Sequence, residues 1–277
     1  MARLYVVATP IGNLGDLGAR AAKTLDKVAL IAAEDTRRAR RLLDHVGVQT
    51  PLTALHDHNE DEAIRVLLRR LQSGDELALI SDAGTPLVSD PGYLLVRAAQ
   101  DAGIEVSPVP GPSAVTAALS VADLATDRFT FEGFLPAKAA ARRSRIKDLR
   151  SEARTIVWYE APHRIAASID DLVEIFGETR EAALCRELTK LHEQCLRASL
   201  GSLASALAVG TVPARGEFVI VVSGQGAQTV DEMEGQRIMA LLLQDLAPGR
   251  AAQLAHEISG VSRKRLYQWA LDQRSGG

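Results

Sequence analysis

Short apolar runs alternate along the chain with loops rich in Gly, Pro, Ser, Thr and Asp. Residues 4–9, 28–33, 77–80 and 105–109 read as strands. Between and after them, residues 19–27, 60–71, 92–102 and 114–121 and a stretch beginning near 36 repeat their apolar positions at helical spacing. Strand and helix in strict alternation predict a parallel α/β sheet. The rhythm breaks at 122–127. Beyond it, strands are predicted at 129–131, 155–159, 182–186, 195–200 and 218–222, with a helical stretch at 137–150 and another helix ending at 176. A linker-like segment at 224–228 leads into three helices at 231–244, 250–259 and 262–273. The pattern therefore predicts an N-terminal parallel α/β domain (1–121), a C-terminal domain with a mixed α/β sheet (122–224) and a small helical extension (225–277). The last two helices flank a short Gly260-Val261-Ser262 turn, the outline of a helix-turn-helix.

Local signals sharpen the ends of these elements. Asp35 or Thr36 is placed to cap the helix after the second strand, and Asp57 or Asn59 the helix at 60–71. Gly74 ends that helix. Asp90 is expected to cap the helix at 92–102, with Pro91 in its first turn and Gly103 closing it. Ser262 is the expected cap of the last helix.

Composition narrows the class. The 277 residues are enough for two modest domains, and 47% hydrophobic with only 4% aromatic residues means an aliphatic core. No apolar run approaches the roughly 20 residues of a membrane span, and the apolar start at 4–8 is too short for a signal-peptide core. Cys185 and Cys195 make neither a disulfide framework nor a metal-ligand spacing, which suits thiols in a reducing cytoplasm. His56 and His58 have no third ligand nearby, so no metal is expected. A net charge of −3 admits a nucleic-acid partner only through local basic clusters. Three such clusters exist. Residues 137–150 carry Lys138, Arg142, Arg143, Arg145, Lys147 and Arg150 against the single acid Asp148. Arg37, Arg38, Arg40 and Arg41 follow Glu34-Asp35, and Arg263, Lys264 and Arg265 open the last helix. Each is either an RNA-phosphate contact or a solvated helix face.

The loops at 10–18, 81–92 and 110–113 each follow an apolar strand, so in a parallel sheet all three open at one edge. Gly12, Gly15 and Gly18 run G-x-x-G-x-x-G, not the dinucleotide spacing, and no Gly-Lys-Ser/Thr follows. Together the loops hold Asp16, Asp82 and Asp90 and no Lys or Arg. Phosphate sites combine backbone amides with basic side chains, so a triphosphate or dinucleotide fits poorly. A ligand with a cationic centre, such as S-adenosyl-L-methionine, fits better.

Several blocks then resemble one family. They are Val7-Ala8-Thr9-Pro10-Ile11-Gly12-Asn13-Leu14, Ala33-Glu34-Asp35-Thr36-Arg37, residues 80–92, residues 109–114, Tyr159-Glu160-Ala161-Pro162-His163-Arg164, and residues 186–193. In this order they resemble the ribosomal RNA small-subunit methyltransferase I family, within the tetrapyrrole-methylase superfamily, over about 3–224, and the helical tail resembles that family's C-terminal extension. The resemblance implies a two-domain tetrapyrrole-methylase-like fold with the cofactor in the cleft between the domains, and a homodimer. It implies 2′-O-methylation of cytidine 1402 of 16S ribosomal RNA, in the decoding region of the 30S ribosomal subunit, with S-adenosyl-L-methionine as donor. Carried over residue by residue, it assigns Pro10, Gly12, Gly84, Thr85, Pro86, Val88, Ser113, Ala114, Glu160, Ala161, Ala183 and Gly216 to the cofactor. Thr85 stands where tetrapyrrole relatives commonly have Asp.

Methyl transfer to a ribose hydroxyl needs the reacting atoms held in line, and a base or polarising cation helps. Lys190 and Glu187 are the first candidates, Glu34 and Asp35 the second. The plainer alternative is that they only hold the domains together as ion pairs. Arg37, Arg38, Arg142, Arg143, Arg145, Lys147, Arg263, Lys264 and Arg265 are the expected RNA contacts. Two other readings share parts of this pattern. A tetrapyrrole C-methyltransferase has the same fold and cofactor, but the basic segments speak against it. A non-enzymatic RNA-binding module needs no converging glycine loops.

Overall fold

The computed structural model describes residues 2–56, 59–225 and 232–275. Asp57, His58, residues 226–228 of the expected linker and the start of the helix expected at 231 lie outside the described residues.

The first sheet is built from β1 (Arg3–Val7), β2 (Leu30–Ala33), β3 (Leu52–Ala54), β4 (Leu77–Ile80) and β5 (Glu105–Val109), in the order β3-β2-β4-β1-β5. Every pairing is parallel. The crossovers are helices: α1 (Ala19–Lys27), α2 (Thr36–His45), α3 (Glu60–Gln72) and α4 (Tyr93–Asp101), with α5 (Ala114–Val121) leaving β5. Strands β2 and β4 are buried at every position because helices cover both faces. One face packs Leu25, Ile31 and Leu43, the other Leu4, Leu67, Leu71, Leu77 and Leu95. Strand β3 escaped the sequence pattern: three residues at the sheet edge, all half-buried, leave no alternation to read.

The second sheet has β6 (Phe129–Phe134), β7 (Thr155–Glu160), β8 (Glu181–Arg186), β9 (Gln194–Ser199) and β10 (Phe218–Val222), in the order β6-β7-β10-β8-β9. Only β6 and β7 are parallel, so the sheet is mixed, as predicted. Helices α6 (Ala139–Asp148), α7 (Ile165–Phe176) and α8 (Leu200–Ala208) complete this half. Cys185 and Cys195 are free thiols, opposite one another across β8 and β9. Helix α5 packs Val115, Ala118 and Leu119 against Val157, Ala183, Val219 and Val221 of the second sheet. The two sheets accordingly form one compact unit (1–148 with 155–222). A second unit (149–154 with 223–277) contains α9 (Glu232–Leu242), α10 (Pro248–Ser259) and α11 (Arg263–Ser275) around Met239, Ala251, Ala255, Leu266 and Ala270.

Asp35 and Asn59 sit at the expected N-cap positions, whereas α4 begins only at Tyr93, so that neither Asp90 nor Pro91 falls where it was expected. Asp35 caps α2 by accepting from the Arg37 amide at 2.8 Å. Asn59 occupies the N-cap of α3, but its side chain bonds backward to His56 and Ala54. The N-cap of α4 is Gly92 rather than Asp90. Gly92 has φ +116°, and a Cβ there would lie 2.6 Å from Leu79. Only glycine tolerates both, and the turn it makes leaves Asp90 outside the helix.

The basic stretch of α6 also differs from its expectation. Arg142 is buried, its Nε 2.6 Å from Asp171, and it is not part of a phosphate-facing surface. Arg143 shares Asp171 and reaches Glu174, while Arg145 pairs with Glu132. Lys147 is exposed. With Arg142 and Asp171 only 7% and 4% exposed, Asp171→Asn strands a buried cation, at an expected cost of about 3–5 kcal/mol. Urea denaturation should register that loss, and Arg142→Met with Asp171→Leu should recover most of it. A stability equal to wild type for Asp171→Asn would contradict the pairing.

Candidate active site

Strand β1 lies between β4 and β5, so the loops after these three strands meet at one edge. The meeting is fixed by backbone bonds. Thr9 N–H donates to Gly84 O at 2.9 Å, and Gly84 N–H returns to Thr9 O at 3.0 Å. The Thr85 hydroxyl donates to Pro112 O at 3.2 Å, tying in the third loop. Asp82 adds the loop after β2: its carboxylate accepts from the Asp35 amide at 3.1 Å and from Arg38 at 3.0 Å.

These loops form one wall of a cleft of about 400 Å³. The second sheet supplies the other wall through Tyr159, Ala161, Leu188 and Val219. Of the residues expected to hold a cofactor, Gly84, Thr85, Val88, Ser113, Ala114, Glu160 and Ala161 line it. Pro10, Gly12, Pro86, Ala183 and Gly216 do not. Ala183 is wholly buried in the core behind the cleft. Glu160 is committed internally: its two carboxylate oxygens accept from the Ala161 amide, Arg164 and Ser168 at 2.8, 2.5 and 2.6 Å. It shapes the 160–164 turn and leaves the lining there to Ala161.

Gly12 matters in another way. Lys190 lies directly across it, so a Cβ on Gly12 would sit 2.3 Å from Lys190 Cγ. The Lys190 ammonium donates to Glu187 at 2.9 Å and Glu217 at 2.7 Å, and Glu187 also accepts from the Glu217 amide. Gly216 passes against the Glu187 carboxylate. Lys190 is thus a strut from the second sheet over the first glycine loop. Burial works against its charge, but the two carboxylates outweigh burial and hold it above its ordinary value. Glu187, despite its burial, is held below its own by Lys190 and the Glu217 amide. A protonated ammonium and an ionised carboxylate in mutual contact are poor proton acceptors. Asp35 is a poorer one, held down to about 2 by Arg37. Glu34 lines the cleft.

Charge in the cleft is one-sided. Glu34, Asp82, Asp90, Glu160 and Glu217 line it, and among the described residues Arg38 is the one lining cation; Asp82 pairs with Arg38, and from behind the lining Arg164 pairs with Glu160 and Lys190 with Glu217. Asp82, Asp90, Phe134 and Tyr159 were not among the expected site residues. Both loops that hem the cleft carry left-handed non-glycine residues in pairs, Leu87 and Ser89 at φ +72° and +68°, and Glu187 and Thr189 at φ +51° and +65°. Such conformations persist only where surrounding structure imposes them. Among the described residues no group of three His, Cys, Asp or Glu is placed to hold a metal, and no helix is long and apolar enough to cross a membrane.

The Lys190 strut predicts a coupled pair. Gly12→Ala should destabilise the protein by about 1–3 kcal/mol through overpacking. In a Lys190→Ala background, where the colliding stem is gone, the same change should cost much less. Equal costs in both backgrounds, measured by denaturant unfolding, would contradict the contact.

Comparison with known proteins places this architecture. Residues 3–204 match the family model described as Tetrapyrrole (Corrin/Porphyrin) Methylases, and residues 229–274 match the RsmI C-terminal HTH domain. A cobalt precorrin-4 methyltransferase superposes with a TM-score of 0.59 at 16% identity, covering 80% of this chain and 94% of that one. Uroporphyrin-III C-methyltransferase from Thermus thermophilus, complexed with S-adenyl homocysteine, gives 0.54 at 19% identity, covering 80% and 92%. At such identities the likeness establishes the fold. Curated sequence relatives are much nearer. Ribosomal RNA small subunit methyltransferase I of Xylella fastidiosa is 56% identical, covering 95% of this chain and 97% of that one. The Pseudomonas aeruginosa protein of the same name is 52% identical, covering 99% and 98%. Identity sustained over nearly the whole of both chains means that this methyltransferase belongs to the ribosomal RNA small subunit methyltransferase I family, within the tetrapyrrole methylases.

Proposed function

We propose that this chain transfers a methyl group from S-adenosyl-L-methionine to the ribose 2′-hydroxyl of cytidine 1402 in 16S ribosomal RNA, acting in the cytoplasm on the 30S decoding region, as a homodimer. The observation that carries the reading is the cleft's lining of carboxylates and backbone groups, in which Arg38, the one lining cation among the described residues, is already paired with Asp82. The sulfonium and ammonium of the donor are attracted there, whereas phosphates are repelled. Apolar Ile11, Val88, Ala114 and Leu188 suit the adenosyl portion, and the volume of about 400 Å³ suits a ligand of that size. The names of the near relatives support ribosomal RNA as substrate.

Bound there, the donor supplies an electrophilic methyl group on a positively charged sulfur. The chain's own contribution is positioning and exclusion of water. The Thr9–Gly84 and Thr85–Pro112 bonds hold the loops in one arrangement before a ligand arrives. Lys190, with Glu187 and Glu217, fixes the second-sheet wall over Gly12, a positioning role that needs no proton transfer.

RNA phosphates are expected to meet Lys147, Arg263, Lys264 and Arg265, all exposed; Arg37 and Arg38 are exposed too, but pair with Asp35 and Asp82. Arg142 is excluded by burial. Changing Lys147, Arg263 and Lys264 together to Gln should reduce the log–log salt slope of RNA binding by about two. An unaltered slope would make these residues solvated bystanders.

The reaction itself is tested by supplying methyl-labelled S-adenosylmethionine with 30S subunits, free 16S RNA or uroporphyrinogen. Label should appear at the 2′-oxygen of cytidine 1402. Label in uroporphyrinogen, or none in RNA, would overturn the proposal.

A further inference from the structure

Three aromatic side chains gather at one corner of the cleft in a chain that is only 4% aromatic. Tyr159 stands edge-on to Phe131 at 4.8 Å and to Phe134 at 5.5 Å between centroids. Phe131 and Tyr159 are half-buried, yet Phe134, braced by Tyr159, is 53% exposed while lining the cleft. A rigidly held aromatic face left open to a ligand cleft is a platform for a planar partner.

Beside it lies the turn that carries Asp90. Gly133, next to Phe134, packs against the Ser89 hydroxyl so closely that a Cβ would lie 3.3 Å away. The corner therefore joins the second sheet to the loop after β4. Because Gly92 caps α4, the Asp90 carboxylate is not spent on the helix and lines the cleft. Burial raises its proton affinity, with Asp82 adding repulsion and a hydrogen bond from Ser81 only partly opposing. The Tyr159 phenol, pushed up to about 12 by burial and then by Asp90, remains protonated and available as a donor. One stacking face, one acceptor and one donor thus share a corner, and the positioning scheme above uses none of them.

We propose that this corner is the target-nucleoside subsite, with the nucleobase stacked on Phe134 and Asp90 accepting the hydrogen bond, and then the proton, of the reacting ribose hydroxyl. The inference rests on the RNA-methyltransferase reading above. In the step, a hydroxyl lone pair forms the O–CH₃ bond as the S–CH₃ bond breaks. The bonding pair goes to sulfur, which becomes a neutral thioether. The hydroxyl proton goes to Asp90 and from there to water. A carboxylate that lines the cleft beside the aromatic platform, with its proton affinity raised by burial, is suited to that transfer.

The test is single-turnover methylation of 30S subunits, with S-adenosylmethionine affinity measured separately by calorimetry. Asp90→Asn should lower the rate at saturating S-adenosylmethionine and 30S about 100-fold, a loss read at saturation so that any weakening of donor attraction does not enter it. Phe134→Ala should raise the half-saturating 30S concentration about tenfold, and Phe134→Trp should restore it, because stacking needs only an aromatic face. A saturating rate in Asp90→Asn equal to wild type overturns the assignment of Asp90. An unchanged half-saturation in Phe134→Ala overturns the stacking platform. A wild-type enzyme that labels no RNA overturns the parent reading and this inference together. Label in RNA with both variants at wild-type behaviour overturns this inference alone.

Discussion

Two backbone hydrogen bonds between Thr9 and Gly84 hold the cleft together. They join loops that are 75 residues apart in sequence, and they exist because β1 sits beside β4 in a parallel sheet. The order β3-β2-β4-β1-β5 places three strand ends side by side, and the bonds from Thr9 and Thr85 turn that adjacency into one wall. Helix α5 then leaves β5 and packs on the second sheet, which brings the other wall opposite. The site is therefore a consequence of strand order first and of side-chain chemistry second.

Side-chain chemistry decides what the wall will accept. Two cations beside the glycine loops are spoken for: Arg38 by Asp82, and Lys190 by Glu187 and Glu217. Those pairs serve structure and electrostatics together. Asp82 links the loops after β2 and β4 while pairing with Arg38, the one cation that lines the cleft among the described residues. Lys190 spans Gly12, and the carboxylates it meets keep it charged and engaged. What remains facing the ligand is negative or apolar, a surface matched to a sulfonium and ill-matched to a phosphate.

Much of this was legible in the residues themselves. The alternation of strand and helix, the mixed second sheet and the convergence of three glycine loops follow from hydrophobic runs and loop composition. The misses share a cause: each depends on partners remote in sequence. Strand β3 is three edge residues with no pattern to detect. Arg142 sits in a run of exposed cations and differs only because Asp171, 29 residues on, is buried beside it. Asp90 in Asp-Pro-Gly has the form of a helix cap, but the left-handed turn at Gly92 takes over the cap and releases the carboxylate to the cleft. Phe134 lies beyond the expected end of its strand, and only the fold brings it to Tyr159. The scarcity of aromatics was the one available hint that those present have work to do.

Under the function proposed here, the cleft selects for positive charge on an adenosyl ligand. Calorimetric titration with S-adenosylmethionine and with ATP tests it directly, because the two share adenosine and carry opposite charge. Saturable binding of S-adenosylmethionine, one per chain, is expected, with no measurable binding of ATP. ATP binding as tightly as S-adenosylmethionine, in competition with it, would rule out that charge selectivity.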